Sequence, residues 1–134
     1  MEKLKKKYHS DCIFNSDIYN VRNTFNENGE LIGSFICNEK HQGYSDRIHG
    51  GILSGIMDSS MTQCLFAHNI VAYTIDLNIK YSHPVKMNKE AIVKVKIPKR
   101  QNDFVYNLRG FIFQDDIKLI SADARFWIHK DYNL

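Results

Sequence analysis

The chain has 134 residues, 18 Lys and Arg against 15 Asp and Glu for a net charge of +3, and 43% hydrophobic residues. Such a length and composition fit one globular domain, expected over 1–134, with enough chain to bury most of its apolar surface. The charge surplus is too small to argue for a nucleic-acid partner, and Ser, Asp, Asn or Lys interrupts each apolar stretch well short of a membrane span.

The first seven residues, Met1-Glu2-Lys3-Leu4-Lys5-Lys6-Lys7, are basic, and no apolar segment follows them as a secretory signal would require. Residues 1–10 are expected to form a mobile basic end. Cys12, Cys37 and Cys64 are odd in number and widely spaced, with no C-x-x-C and no H-x-x-x-H pair. That pattern argues against a metal site and fits a reduced, cytoplasmic setting.

Residues 18–25 and 31–37 read as strands, and Asn28-Gly29 between them is a hairpin turn signal. Residues 38–48 read as a polar loop. From Gly50 to about His68 the pattern is helical, with Ile52, Leu53, Ile56, Met57, Cys64 and Leu65 at three- and four-residue spacing. Apolar residues spread around most of that helix, as expected for a buried one. One face differs: Gly51, Ser54, Gly55 and Thr62 surround Asp58, a carboxylate among mainly small side chains. Asp58 has two readings, a solvated helix carboxylate or a working acid or base.

The period then changes to two. Val71, Tyr73, Ile75, Leu77, Ile79 and Tyr81 alternate with Ala72, Thr74, Asp76, Asn78 and Lys80, predicting a long half-buried strand that Pro84 ends. Ala91, Val93, Val95 and Ile97 predict the next strand, which stops at Pro98. Residues 103–113 and 117–129 predict two more around a turn at Gln114-Asp115-Asp116. Two strands, one long helix and four strands with short connections predict an α+β domain, its antiparallel sheet wrapped around one central helix, the hotdog architecture.

His49-Gly50-Gly51 precedes that helix and Asp58 lies about two turns inside it. Glycines at a helix start leave amide N–H groups uncovered, where a developing oxyanion can be held. His49 fits either a ligand contact or a ring bonded to nearby backbone, and Thr74 reads most simply as a solvent-facing strand residue. The Lys94, Lys96, Lys99 and Arg100 cluster fits a grip on phosphates or a solvated strand face.

His49-Gly50-Gly51, six residues and Asp58, then Tyr73-Thr74-Ile75-Asp76-Leu77-Asn78-Ile79-Lys80-Tyr81 and His83-Pro84-Val85, resembles the PaaI-type hotdog acyl-CoA thioesterases. Gln42-Gly43-Tyr44 and Ser121-Ala122-Asp123-Ala124-Arg125-Phe126 add to the likeness. The resemblance implies hydrolysis of an acyl-CoA thioester, with coenzyme A as part of the substrate and no separate cofactor. It implies that Asp58 acts as general base or nucleophile, that the Gly50 amide polarises the carbonyl, and that Thr74 helps orient the attacking water. His49, Gly51, Gln42, Lys99 and Arg100 are the expected substrate contacts. The family's edge-to-edge sheet pairing implies a homodimer, with a dimer of dimers as the larger form. Ser59 stands where many relatives carry a second acid, which keeps a non-catalytic acyl-ligand binding protein as the alternative.

Overall fold

The computed structural model describes residues 21–44 and 47–129; the basic end at 1–10, Cys12 and residues 18–20 of the first predicted strand lie outside them. Strands β1 (Arg22–Phe25) and β2 (Leu31–Phe35) are followed by a 3-10 turn at Glu39–His41 and by helix α1 (Gly50–Ala67). Strands β3 (Ala72–Tyr81), β4 (Ala91–Val95), β5 (Lys99–Arg100), β6 (Val105–Gln114) and β7 (Ile117–Ile128) complete the domain. One antiparallel sheet runs β1-β2-β4-β6-β7-β3, with β5 paired to β6, and α1 packs against β2, β3, β4 and β6. This is the predicted α+β hotdog arrangement.

The turns carry backbone signatures that their residues allow. Gly29 sits at φ 82° in the β1–β2 turn, whose bonds run from Asn26 N–H to Glu30 O and from Gly29 N–H to Asn26 O. Asp115 and Asp116 both have positive φ, 51° and 63°, as a two-residue turn between long antiparallel strands requires. Asn69, at φ 61°, closes α1, and the Ile70 N–H returns to Leu65 O.

The core lies between α1 and the inner face of the sheet. Met57, Met61, Cys64 and Leu65 are fully buried, as are Leu31, Val93, Val95, Ile112 and Phe126 opposite them. Each such side chain contributes about 1.5–3 kcal/mol through burial. Gly110 and Ala122, paired across β6 and β7, keep the sheet low where the helix crosses it. A Cβ on Gly110 would lie 2.5 Å from Met57 Sδ. The two cysteines within the described residues are both buried, and burial pushes each thiol up to about 11.

Three local expectations change. The predicted polar loop at 38–48 contains the 3-10 turn, capped by Asn38 and anchored by His41, which is only 2% exposed. The region after the helix holds five strands rather than four, because Lys99–Arg100 makes a short ladder with Asn107 and Tyr106. The uniform alternation predicted for 71–81 is broken at Ile75. Thr74 pairs with Phe126 and Asp76 with the adjacent Arg125, so Ile75 is an extra, unpaired residue. A bulge of this kind shifts the side-chain register by one. Ala72 therefore packs on the core before it and Leu77 and Ile79 after it, while Tyr73 and Ile75 are 59% and 44% exposed.

Candidate functional site

At the start of α1, His49 is the N-cap residue, with φ −61° and ψ 130°. Its Nδ1 accepts the Gly51 N–H at 2.8 Å, so the imidazole takes the place that a Ser, Thr, Asp or Asn side chain usually fills. Accepting there requires the ring proton on Nε2. The His49 carbonyl accepts from the Ile52 and Leu53 N–H groups at 3.1 and 3.2 Å. The first helical amide, Gly50 N–H, has no acceptor among the described residues. An uncovered donor at a helix start favours negative charge.

The Gly50 carbonyl accepts the Tyr81 hydroxyl at 2.9 Å, which ties the end of β3 to the first turn of α1. A cleft of about 650 Å³ opens here, lined among others by Tyr44, Arg47, His49, Gly50, Leu53, Tyr81 and His83.

Asp58 lies on the least buried face of the helix. Its polar neighbours on that face bond to the helix's own backbone: Ser54 Oγ donates to Gly51 O and Thr62 Oγ1 to Asp58 O, both at 3.0 Å. The carboxylate is left to the sheet. Thr74 Oγ1 donates to Asp58 Oδ1 at 2.6 Å, within the short range of hydroxyl-to-carboxylate bonds. The bulge at Ile75 makes this contact compatible with a strand whose later residues, Leu77 and Ile79, also face the helix.

The site residues expected from sequence fall into separate groups. Asp58 meets Thr74, and His49 meets Gly51 beside Gly50. Gln42 is exposed, and its backbone forms a bridge with Ile48 rather than joining either group. Lys99 lines another cleft with Glu30, Lys96, Asn107, Arg109 and Asp123, on the β5–β6 side of the sheet. Arg100 is engaged by Asn102 O and Asp103 O and lies over the Tyr106 ring. In a single chain neither basic residue lines the cleft at the helix start.

The two principal groups are also apart. Eight residues separate Gly50 from Asp58, about 12 Å along a helix at 1.5 Å per residue. A reacting carbonyl must lie roughly 3 Å from both its oxyanion donor and its attacking group. One helix therefore cannot present both of its own groups to one carbonyl. Tyr81 is the residue that sequence reasoning left out of the site. Its hydroxyl contact depends on where β3 ends relative to α1, which no spacing in the sequence encodes.

A model of the thioesterase superfamily matches residues 46–111, the stretch that carries α1, β3, β4, β5 and most of β6. No match was found among curated proteins. Among solved structures, a Streptococcus mutans UA159 protein bound to acetyl-CoA superposes with a TM-score of 0.75 at 14% identity, covering 82% of this chain and 89% of that one. A hypothetical thioesterase from Streptococcus pneumoniae TIGR4, solved with coenzyme A, gives 0.75 at 14% identity over 81% and 88%. The PaaI protein of the Escherichia coli phenylacetic acid degradation operon gives 0.73 at 10% identity over 81% and 79%. The match over residues 46–111 is to the thioesterase superfamily, and the PaaI protein and the two streptococcal proteins share the fold of this chain.

Proposed function

We propose that the protein hydrolyses an acyl-CoA thioester at sites shared between two copies of the chain. The observation that carries this reading is the Thr74–Asp58 hydrogen bond. It fixes one carboxylate oxygen and leaves Oδ2 without a protein partner among the described residues. Acting as general base, Asp58 takes a proton from water, and the resulting hydroxide adds to the thioester carbonyl carbon. The Gly50 N–H of the other copy stabilises the oxyanion. Collapse of the intermediate breaks the C–S bond, and the proton held by Asp58 neutralises the departing thiolate. Direct attack by the carboxylate, through an anhydride, would use the same oxygen.

The edge of the sheet supports sharing. Strand β3 ends the strand order and, among the described residues, has one unpaired side over ten residues. Antiparallel pairing of two β3 strands about their midpoint sets the Tyr81 end of one against the Ala72–Thr74 end of the other. Gly50, bonded to Tyr81, then approaches the Asp58 that is bonded to the other copy's Thr74. This removes the 12 Å separation within one helix. The acyl-CoA and coenzyme A bound in structures of the same fold support the substrate class. Ser59 favours a second reading, binding of an acyl-CoA without turnover.

Thiol release over short, long and aromatic acyl-CoAs tests the two. Turnover by the native protein, lost in Asp58→Asn, is the expected result. Binding of acyl-CoAs without thiol release by the native protein would establish the second reading.

A further inference from the structure

We infer that Tyr81 is a positioning residue, which fixes the Gly50–Gly51 peptide from its carbonyl side so that the preceding amide, Gly50 N–H, stays aimed at the cleft. The inference rests on the hydrolytic reading above for its consequence, and on geometry for the contact itself.

The Gly51 N–H and the Gly50 C=O belong to one peptide group. His49 Nδ1 holds the first at 2.8 Å and Tyr81 Oη holds the second at 2.9 Å. Side chains from two different elements therefore pin opposite edges of a single peptide plane. That plane joins two glycines, the residues with the greatest backbone freedom to lose. The helix ladder also uses this carbonyl, so losing the Tyr81 pin loosens the plane rather than freeing it, and the neighbouring Gly50 N–H gains play. An oxyanion donor works by being fixed before charge develops.

The packing agrees with this division of labour. A Cβ on Gly51 would come within 3.0 Å of the His49 ring, so the imidazole already fills that space. A Cβ on Gly50 would meet the Tyr81 ring at 3.6 Å, ordinary contact, so the phenol covers Gly50 without crowding it. Tyr81 is itself anchored, because its backbone pairs with Ile120 of β7. Tyr81 is 49% exposed and is not among the core residues. The hydroxyl, more than the ring's burial, is what this position supplies.

Tyr81→Phe keeps the ring and deletes the pin. Two readouts are taken on the full chain: water exchange of the Gly51 amide by NMR, and kcat and KM for thiol release from the acyl-CoA panel. The expected result is a Gly51 amide that exchanges about fivefold faster, the effect of one net hydrogen bond. With it, kcat falls about fivefold while KM and Tm stay near native values, because the lost alignment matters most in the transition state. A variant whose Gly51 exchange is native overturns the inference, whatever its turnover. So does faster exchange with native kcat in an active enzyme. If the native protein releases no thiol, the hydrolytic reading falls, and Gly51 exchange alone decides whether Tyr81 holds the peptide.

Discussion

Thr74 Oγ1 donates to Asp58 Oδ1 at 2.6 Å, joining the edge strand to the middle of the central helix. The bond orders a carboxylate that would otherwise rotate on an open helix face. Removing the carboxylate and removing its orienter should therefore have unequal effects. Asp58→Asn should lower kcat for thiol release by about 10²–10⁴, the range of a lost general base. Thr74→Val should lower it by about tenfold, since the base remains but is less well placed. Steady-state kinetics on the two purified variants, with circular dichroism to verify folding, checks both. Equal losses would mean that Thr74 does more than orient Asp58.

Gly50→Pro isolates the oxyanion donor. Proline lacks an N–H but is well accommodated at the first position of a helix. The preceding residue must be extended, and His49 at φ −61° and ψ 130° already is. A Cβ at this position meets Tyr81 at 3.6 Å, ordinary contact distance. Thermal melting should therefore stay within a few degrees of native, while kcat falls by about 10²–10³, as for other single oxyanion donors. Native kcat in a folded Gly50→Pro protein would remove the Gly50 amide from the mechanism.

How much of this was legible in the sequence depends on the range of the interactions. The Asn28-Gly29 turn, the buried helix and the last two strands are written in local chemistry and periodicity, and the fold follows from them. The Ile75 bulge is not: Val71 to Tyr81 alternates without a break, and only pairing with Phe126 and Arg125 reveals the extra residue. His49 was legible as a ring able to bond backbone near the helix start, and the structure identifies the bond as a cap on the Gly51 N–H, a place imidazole seldom fills. Tyr81 reads as one more apolar strand position until the helix start is placed beside it. Lys99 and Arg100 fitted a phosphate grip or a solvated strand face equally, because charge in a sequence carries no address. In the single chain the turn at Asn102 and the ladder with β6 set them on the β5–β6 side of the sheet.

At Gly110 sheet and helix lie too close for a side chain. Its missing Cβ would lie 2.5 Å from Met57 Sδ and 3.3 Å from the Lys94 carbonyl. Met57 is fully buried, so its thioether cannot swing into solvent. Gly110→Ala should destabilise the fold by about 1–3 kcal/mol through overpacking, lowering Tm by several degrees. Shortening the opposing side chain, in Gly110→Ala with Met57→Ala, should cost less than the sum of the two single changes. Strict additivity in urea titrations would show that the two positions do not share the space.

Asp76 and Arg125 face each other across β3 and β7, with two guanidinium bonds to Asp76 Oδ2 at 2.9 and 2.5 Å. The Arg125 bonds hold the Asp76 carboxyl below its usual range. A carboxyl depressed in the folded state adds stability above its unfolded pKa and loses it as pH falls through the folded value. The pair is exposed, so the effect is small and sensitive to salt. Asp76→Asn should therefore lower Tm slightly at neutral pH and converge with the native protein in acid, below the depressed pKa. A constant difference from neutral pH into strong acid would exclude the ion pair as its source.

Sharing of the site between two chains has a consequence that neither single variant can show. If Asp58 of one copy serves the Gly50 amide of the other, a heterodimer of Asp58→Asn and Gly50→Pro chains has one site with both lesions and one with neither. Unfolding and refolding an equimolar mixture should then restore roughly a quarter of native activity, since about half of randomly paired dimers are mixed and each has one working site. Two inactive proteins would become active on mixing, and recovery should follow subunit exchange in time. If Asp58 and Gly50 of the same chain worked together, each site in the mixed dimer would keep one lesion and nothing would be recovered. The about 12 Å between those residues along α1 argues for recovery. Refolded mixtures that form mixed dimers, detected by a size tag on one chain, yet stay inactive would overturn the shared site.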